Sequence, residues 1–500
     1  MATVSDPPPS APTRASAPGD TSPGDTRPHR LAGRLGPGAI VFMVVAAAAP
    51  LTVIAGSVPI GIAAGNGAGY PAMYVVAGVV LLFFAVGFTA MTRHVPNAGA
   101  FYSYVGAGLG RGPGLGAALV ALISYVTVQG AVYGYIGFLI GDLVAGYGGP
   151  SLPWWLWTAL VLAIAGVLGY RHIELSSKVL GVLLVAEVGI VLVLDAFVVA
   201  RGGGPEGLST AFLRPDDVLA GAPGLGLMFA IAGFIGFEAT AIFRDEARDP
   251  DRTVPRATYL ALAIIAVFYT VSSWAIVSAW GDTAVVGQSA ADPGGIVIAT
   301  AQQYVGTAAA DVMNVLFATS LFAAVLSFHN VLARYFFSLG NTGVLPGACG
   351  RSHTRHASPH VASLVTTVVG AVLMAVCAAA GLDPVLEVFT WLAGIASVGI
   401  VLLMLLACLA VVVFFRRTGL DRRPWHSLVA PSLGLIGLAL VLVLLVDNLP
   451  LLMGGSTALG VGAGVLLAAA LAGGWVLALL RPQAARSLTA AGPADAAPQI

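Results

Sequence analysis

A run of about 20 apolar residues is the length that crosses the hydrocarbon core of a bilayer as a helix, and this chain of 500 residues repeats such runs almost from end to end. They fall near 38–65, 71–91, 115–141, 153–170, 178–200, 222–243, 257–279, 308–338, 361–381, 385–414, 428–447 and 456–480. Hydrocarbon satisfies no backbone polar group, so a chain with this pattern has few choices beyond a bundle of membrane helices. Its 9% of charged residues stands against about 25% in water-soluble domains. The expected fold class is all-α and integral to the membrane, with 12 transmembrane helices.

The ends differ from the middle. Residues 1–36 are rich in Pro, Ser, Thr, Asp and Arg and contain no apolar run, so they are expected to form a disordered tail. The first apolar run, from near Ile40, is too long for a secretory signal, and no cleaved leader is expected. Residues 482–500 form a second tail. With the amino terminus inside, all 23 basic residues except Arg201 and Arg214 fall on the cytoplasmic side, where positive charge is retained during insertion. Both termini are therefore expected in the cytoplasm. A single lysine, Lys178, and abundant Gly and Ala suggest a GC-rich bacterial source, and hence the inner (plasma) membrane. Net charge is zero, and no feature points to nucleic acid.

Two of the runs are interrupted. In Gly226–Pro255, Gly233 and Gly236 weaken a helix at mid-depth, and Glu238 follows just before a dense run of charges. In Ala46–Gly65 the interruptions are Pro50, Gly56, Pro59 and Gly61. A membrane helix breaks only where the freed backbone faces protein, water or a ligand. Two broken spans five segments apart are the pattern of an inverted-repeat transporter with its site between the breaks. On that reasoning a small substrate is expected between Pro50–Ser57 and Ala232–Phe237, reaching Pro50, Leu51, Thr52, Ala55, Gly56 and Ser57 on one side and Ala232, Gly233, Phe234 and Gly236 on the other.

Glu187 lies nine residues after Lys178, about 13 Å into its helix, and is expected to be the only ionisable side chain near mid-membrane on the fifth span. A carboxylate there is costly unless it is protonated, paired across helices or open to water. One reading makes it a group that gains and loses a proton during a cycle; the other makes it a neutral acid bonded between helices. Glu238 is shallower, and a structural or gating role, accepting bonds from freed backbone amides, is expected. On the third span Tyr125, Gln129 and Tyr133 fall at i, i+4 and i+8, hence on one face. That face either lines a substrate path or bonds to neighbouring helices.

Other motifs are weaker. GAGLGRGPGLG (Gly106–Gly116) has no G-x-G-x-x-G frame, no following Lys-Ser or Lys-Thr and no preceding strand, so a flexible turn is expected rather than a phosphate cradle. His353, His356 and His360 have no cysteine or carboxylate beside them and read as a solvated basic loop, with no metal site. Cys349, Cys377 and Cys408 read as structural. No cofactor is expected.

Three passages carry a family resemblance. GFIGFEATAIFRDEARDPDRTVPRA (Gly233–Ala257) resembles an F-x-G-F-E run followed by acidic residues, an N/D-P-x-R turn and I/V-P-R-A. RHVPNAGAFYSYV (Arg93–Val105) resembles P-x-x-G-x-x-Y-x-Y, and HNVLARYFFSLGNTGVLP (His329–Pro346) resembles N-x-x-x-R followed by L-P. From about Gly36 to Arg481 the chain is similar to the amino acid, polyamine and organocation transporter superfamily. The resemblance implies a 5+5 inverted repeat, near 38–200 and 222–414, with discontinuous helices 1 and 6 and two additional helices near 428–480. It also implies a substrate carboxylate held by amides at the first break and an amino group held by carbonyls at the second. Family members often carry G-x-G at the first break; this chain has Pro50, Leu51 and Thr52 ahead of Ala55, Gly56 and Ser57. Glu187 falls where some members place a proton-coupling lysine, and Ala232 where some place a gating aromatic, with Phe229 and Phe234 beside it as substitutes.

The expected function is a proton-coupled secondary active transporter for an amino acid or related amine, with a polyamine or other organic-cation transporter or exchanger of the same fold as the alternative. The unequal, non-repeating spans argue against an oligomeric channel. The absence of a set such as H-E-x-x-H among the spans argues against an intramembrane enzyme.

Overall fold

A computed structural model describes residues 36–95, 101–171, 177–238, 240, 247–351 and 359–482. In chain order its helices are α1 (Pro37–Ala47), α2 (50–66), α3 (Pro71–Met91), α4 (Phe101–Leu109), α5 (Arg111–Gly146), α6 (Trp154–Arg171), α7 (Ser177–Ala200) and α8 (Pro223–Ala232). They continue with α9 (Pro250–Trp280), α10 (Val285–Ala291), α11 (Ile296–Tyr304), α12 (Thr307–Asn341) and α13 (His360–Ala379). The last three are α14 (Pro384–Thr418), α15 (Trp425–Leu452) and α16 (Thr457–Leu480). Ten of these, α3, α5, α6, α7, α9 and α12 to α16, are long and apolar enough to cross a membrane. The other two apolar helices, α1 and α8, are short, because each belongs to one of the runs interrupted by Gly and Pro.

The helices are arranged for a lipid solvent. α13 exposes Leu364, Val368, Val372 and Val376, one per turn, while it buries Ser363, Thr366 and Gly370. This reverses the pattern of a water-soluble helix. Lipid solvates leucine and valine as well as a protein core does, so what gathers inside is whatever makes hydrogen bonds or permits close approach.

The hub is α5, 36 residues long, which touches α4, α6, α12, α13, α14 and α16. Its glycine-rich opening is not the flexible turn expected for Gly106–Gly116. That stretch closes α4 and opens α5, and the chain reverses at Gly110, whose φ of 99° suits glycine. The remaining glycines serve close packing: a Cβ on Gly114 would lie 2.8 Å from the Gly106 Cα, and one on Gly108 would lie 2.3 Å from the Ala410 oxygen. Backbones approach there to a distance that no side chain permits.

α10 and α11, in the connection between α9 and α12, have no counterpart among the apolar runs. Cys349, Cys377 and Cys408 are buried and free. Of the three histidines, His360 opens α13, whereas His353 and His356 lie outside the described residues.

Candidate functional site

The first interruption sits two residues earlier than its prolines and glycines imply. α1 ends at Ala47, and the chain turns at Ala48 and Ala49; Ala49 has φ of 46°, alone among the described residues other than glycine in being positive. Pro50–Ser57, expected to be the break itself, is helical instead. Pro50 stands in the first turn of α2, where the missing N–H costs nothing. Thr52–Ser57 is a wider π-type turn that accommodates Gly56, and near the end of α2 the chain kinks at Gly65, whose ψ of −121° is non-helical.

The second interruption follows α8. Gly233 caps that helix and residues 233–238 form successive turns, with Gly236 at φ of 109°. The two broken segments lie antiparallel. At one end the Ala222 N–H donates to the Gly65 carbonyl at 2.9 Å, and at the other a Cβ on Gly233 would come within 3.0 Å of Val53.

The amides freed at the start of α2 are not vacant. The Thr52 N–H and hydroxyl both donate to the Ser320 hydroxyl on α12, at 3.3 and 3.0 Å. Glu187, buried on α7, lies beside Ser320 at the same break. A carboxylate facing the first turn of a helix is well placed, since that end carries partial positive charge. Ala46, Ala49, Leu184, Glu187, Ser320 and Ala323 line a cavity of ≈ 10 Å³, about the room of one water.

Aromatic residues close around the breaks. The Tyr135 hydroxyl donates to the Ala55 carbonyl at 3.3 Å, and its ring packs on Phe317 and Phe389, with centroids 5.3 and 4.9 Å away. The same Tyr135 and Phe317 rings stand 3.5 and 3.7 Å from where a Cβ on Gly56 would be. Tyr269 on α9 donates to the Ala48 carbonyl at 3.4 Å and packs against Tyr74 and Phe234. Phe229 is buried and Ala232 half-buried.

A polar cluster joins the second break to α5 and α12. The Tyr125 hydroxyl donates to Glu238 Oε1 at 2.6 Å, and the Gly236 N–H donates to Oε2 at 2.9 Å. Tyr335 packs on Tyr125 and on Tyr102, whose hydroxyl pairs with Ser338 at 3.0 Å. The one-face stripe of the third span therefore splits. Tyr125 goes to Glu238, while Gln129 reaches only Tyr133, at 3.4 Å, beside Gly370 of α13 and Thr158 of α6. From the same helix Tyr135 reaches the first break, through the Ala55 carbonyl.

Glu187 is also not alone on its helix. Asp195 is 5% exposed and accepts a 2.7 Å bond from Ser272 on α9. Its spacing from Glu187 puts both on the inward face of α7, a signal present in the sequence; its nearness to Arg201 makes it look like an interfacial residue. Among the described residues no group of His, Cys, Asp and Glu has the arrangement of a metal site.

A family model described as amino acid permease matches residues 39–480. The chain belongs to the amino acid permease family. The permease is 24% identical over 403 residues to the branched-chain amino acid permease BcaP of Lactococcus lactis subsp. cremoris (strain MG1363), covering 74% of this chain and 81% of that protein. It is 24% identical over 313 residues to the low-affinity putrescine importer PlaP of Escherichia coli (strain K12), covering 61% of this chain and 66% of that one. Among solved structures it resembles MhsT in complex with L-phenylalanine, with a TM-score of 0.54 and 16% identity over 83% of this chain and 98% of that chain. That likeness is one of fold. The permease is thus a multi-pass membrane transporter, as the three sequence passages imply.

Proposed function

We propose that this permease moves a neutral amino acid across a bacterial inner membrane by alternating access around the two breaks, driven by protons that bind Glu187. The observation that carries the reading is the antiparallel meeting of two interrupted helices at Val53 and Gly233, the arrangement that places backbone dipoles at mid-membrane in carriers of this kind. In this proposal α1 with α2, and α8 with the turns that follow it, are the first and sixth of twelve spans. Residues 38–200 and 222–414 form a 5+5 inverted repeat, 428–480 the two outer helices, and 1–36 and 482–500 cytoplasmic tails.

The substrate lies between Gly56 and Gly233, with Ala55, Ser57, Ala232, Phe234 and Gly236 around it. Tyr135, Phe317 and Tyr269 supply its walls. Because Thr52 already bonds Ser320, Leu51 and Thr52 act by holding the break in shape. Neutral amino acids are favoured over diamines on charge grounds. A second ammonium needs its own anion, and the two nearby carboxylates have other tasks in this reading, Glu187 with the driving proton and Glu238 with Tyr125 and Gly236. Glu238 and Tyr125 serve as a gate rather than as substrate contacts.

The test is uptake of labelled L-leucine, L-phenylalanine and putrescine into reconstituted vesicles with an imposed pH gradient. Saturable, gradient-dependent uptake of an amino acid with no effect of excess putrescine is expected. Preferential putrescine uptake overturns the substrate class. Non-saturating flux or a chemically altered solute overturns the carrier mechanism.

A further inference from the structure

Asp195 is a buried carboxyl group to which coupling at Glu187 gives no task. The inward face of α7 consists of Leu184, Glu187, Val191, Leu194, Asp195 and Val198, whereas Val182, Val185, Leu192 and Phe197 are exposed. The two acids thus share a face, eight residues or about 12 Å apart along the axis. Asp195 is six residues, about 9 Å, below the Arg201 end of the helix. Its Oδ2 accepts from Ser272, and its Oδ1 has no partner. A bond whose only purpose was to tie α7 to α9 would be made more cheaply by serine, threonine or asparagine, because burying a carboxyl with one oxygen unsatisfied costs free energy.

The surroundings supply hydroxyls and no cation. α7 packs on α1, α9, α11 and α12. α9 presents Tyr269, Ser272 and Ser273; α11 presents Tyr304, over which Arg201 stacks at 5.6 Å. α12 presents Ser320 beside Glu187, with the exposed Asp311 near its start, and α1 has no titratable residue. Among the described residues no ion pair involves Asp195. Tyr269 stands one turn before Ser272 on α9, and its hydroxyl reaches Ala48, at the same break whose cavity contains Glu187.

We propose that Asp195 is a proton relay that takes a proton from the Arg201 side of the membrane and passes it along the Ser272 and Tyr269 hydroxyls toward Glu187. The transfer balances simply. The Asp195 carboxyl gives up its proton and becomes a carboxylate, each hydroxyl accepts one proton and donates another, and the Glu187 carboxylate becomes a carboxylic acid. A hydronium ion at the Arg201 side then returns a proton to Asp195 and becomes water. The relay rests on the reading of Glu187 as the coupling group and differs from it in what it controls: Glu187 sets whether protons drive accumulation, and Asp195 sets how fast they arrive.

The experiment measures L-leucine in vesicles containing wild-type protein, Asp195→Asn, Ser272→Ala or Glu187→Gln. It records initial gradient-driven uptake, final accumulation, exchange at equal pH, and substrate-induced proton uptake with an internal pH dye. Asparagine keeps the shape of Asp195 and still accepts the Ser272 bond. Asp195→Asn is expected to slow gradient-driven uptake and proton entry together by about tenfold or more, with exchange within about twofold of wild type and the same final accumulation. Ser272→Ala slows the same two rates less, and Glu187→Gln loses accumulation altogether. A wild-type rate in Asp195→Asn overturns the relay, as does loss of exchange at equal protein level, which marks a structural role. Loss of final accumulation in Asp195→Asn also overturns it, because Asp195 is then itself a coupling group. Wild-type accumulation in Glu187→Gln instead removes the coupling reading on which the relay depends.

Discussion

Replacing Tyr125 with phenylalanine deletes one hydroxyl from the contact between α5 and the turns after α8. The hydroxyl sits 2.6 Å from Glu238 Oε1, and the two residues are 5% and 8% exposed, so water does not readily substitute for it. The second oxygen keeps its bond to the Gly236 amide, and the ring keeps its packing on Tyr335, so the change is confined to the hydroxyl. A buried bond to a carboxylate contributes about 2 kcal/mol, equivalent to a factor of about 30. If the bond holds the cytoplasmic side closed, a cytoplasm-open state present at about 1% rises to about a quarter of the population. The assay is alkylation of a cysteine introduced at Ala232, with Cys349, Cys377 and Cys408 replaced, by a reagent added to inside-out vesicles. The rate is expected to rise about tenfold or more in the Tyr125→Phe background. An unchanged rate with lowered thermal stability means that the bond persists in every state, and the gating argument is then wrong.

The remaining predictions concern the breaks and the topology. A Cβ on Gly56 meets only ordinary contacts with Tyr135 and Phe317, whereas one on Gly233 is already at 3.0 Å from Val53. Gly56→Val and Gly233→Val are both expected to abolish uptake while the protein still inserts in the membrane, and Gly56→Ala is expected to keep wild-type thermal stability. Unchanged uptake in both valine variants places the substrate elsewhere. A cysteine introduced at Ser10 or Ala490 is expected to escape an impermeant thiol reagent in intact cells; labelling at either position shows that terminus to lie outside.

The sequence was most legible where a single element suffices to decide the outcome. The apolar run near 71–91 is α3, Pro71–Met91, because length and hydropathy alone determine what lipid will accept. It was less legible where the partner matters. Tyr125, Gln129 and Tyr133 are evenly spaced, but α5 meets different helices at different heights, and spacing cannot tell Glu238 from Gln129's own neighbour Tyr133. Pro50 was a misleading marker, since proline favours the first turn of a helix as much as the end of one; the strained residue is Ala49, whose type gives no warning. Glycines at 106–116 looked like freedom and are crowding. Asp195 needed only the inward face of α7 to be drawn through Glu187 and extended two turns.

The seam between α5 and α16 has a mechanical consequence. A Cβ on Gly474 would lie 2.0 Å from the Gly116 nitrogen, and one on Gly116 would lie 2.5 Å from the Leu471 oxygen. Sliding α16 by one turn in either direction brings Ala470 or Ala478 to the place that only glycine fills, so the two helices interlock like a key in its ward. They can tilt as a pair but not slip. Whatever motion opens the breaks to one side or the other, α16 must travel with α5 or remain fixed with it, although most of its surface faces outward.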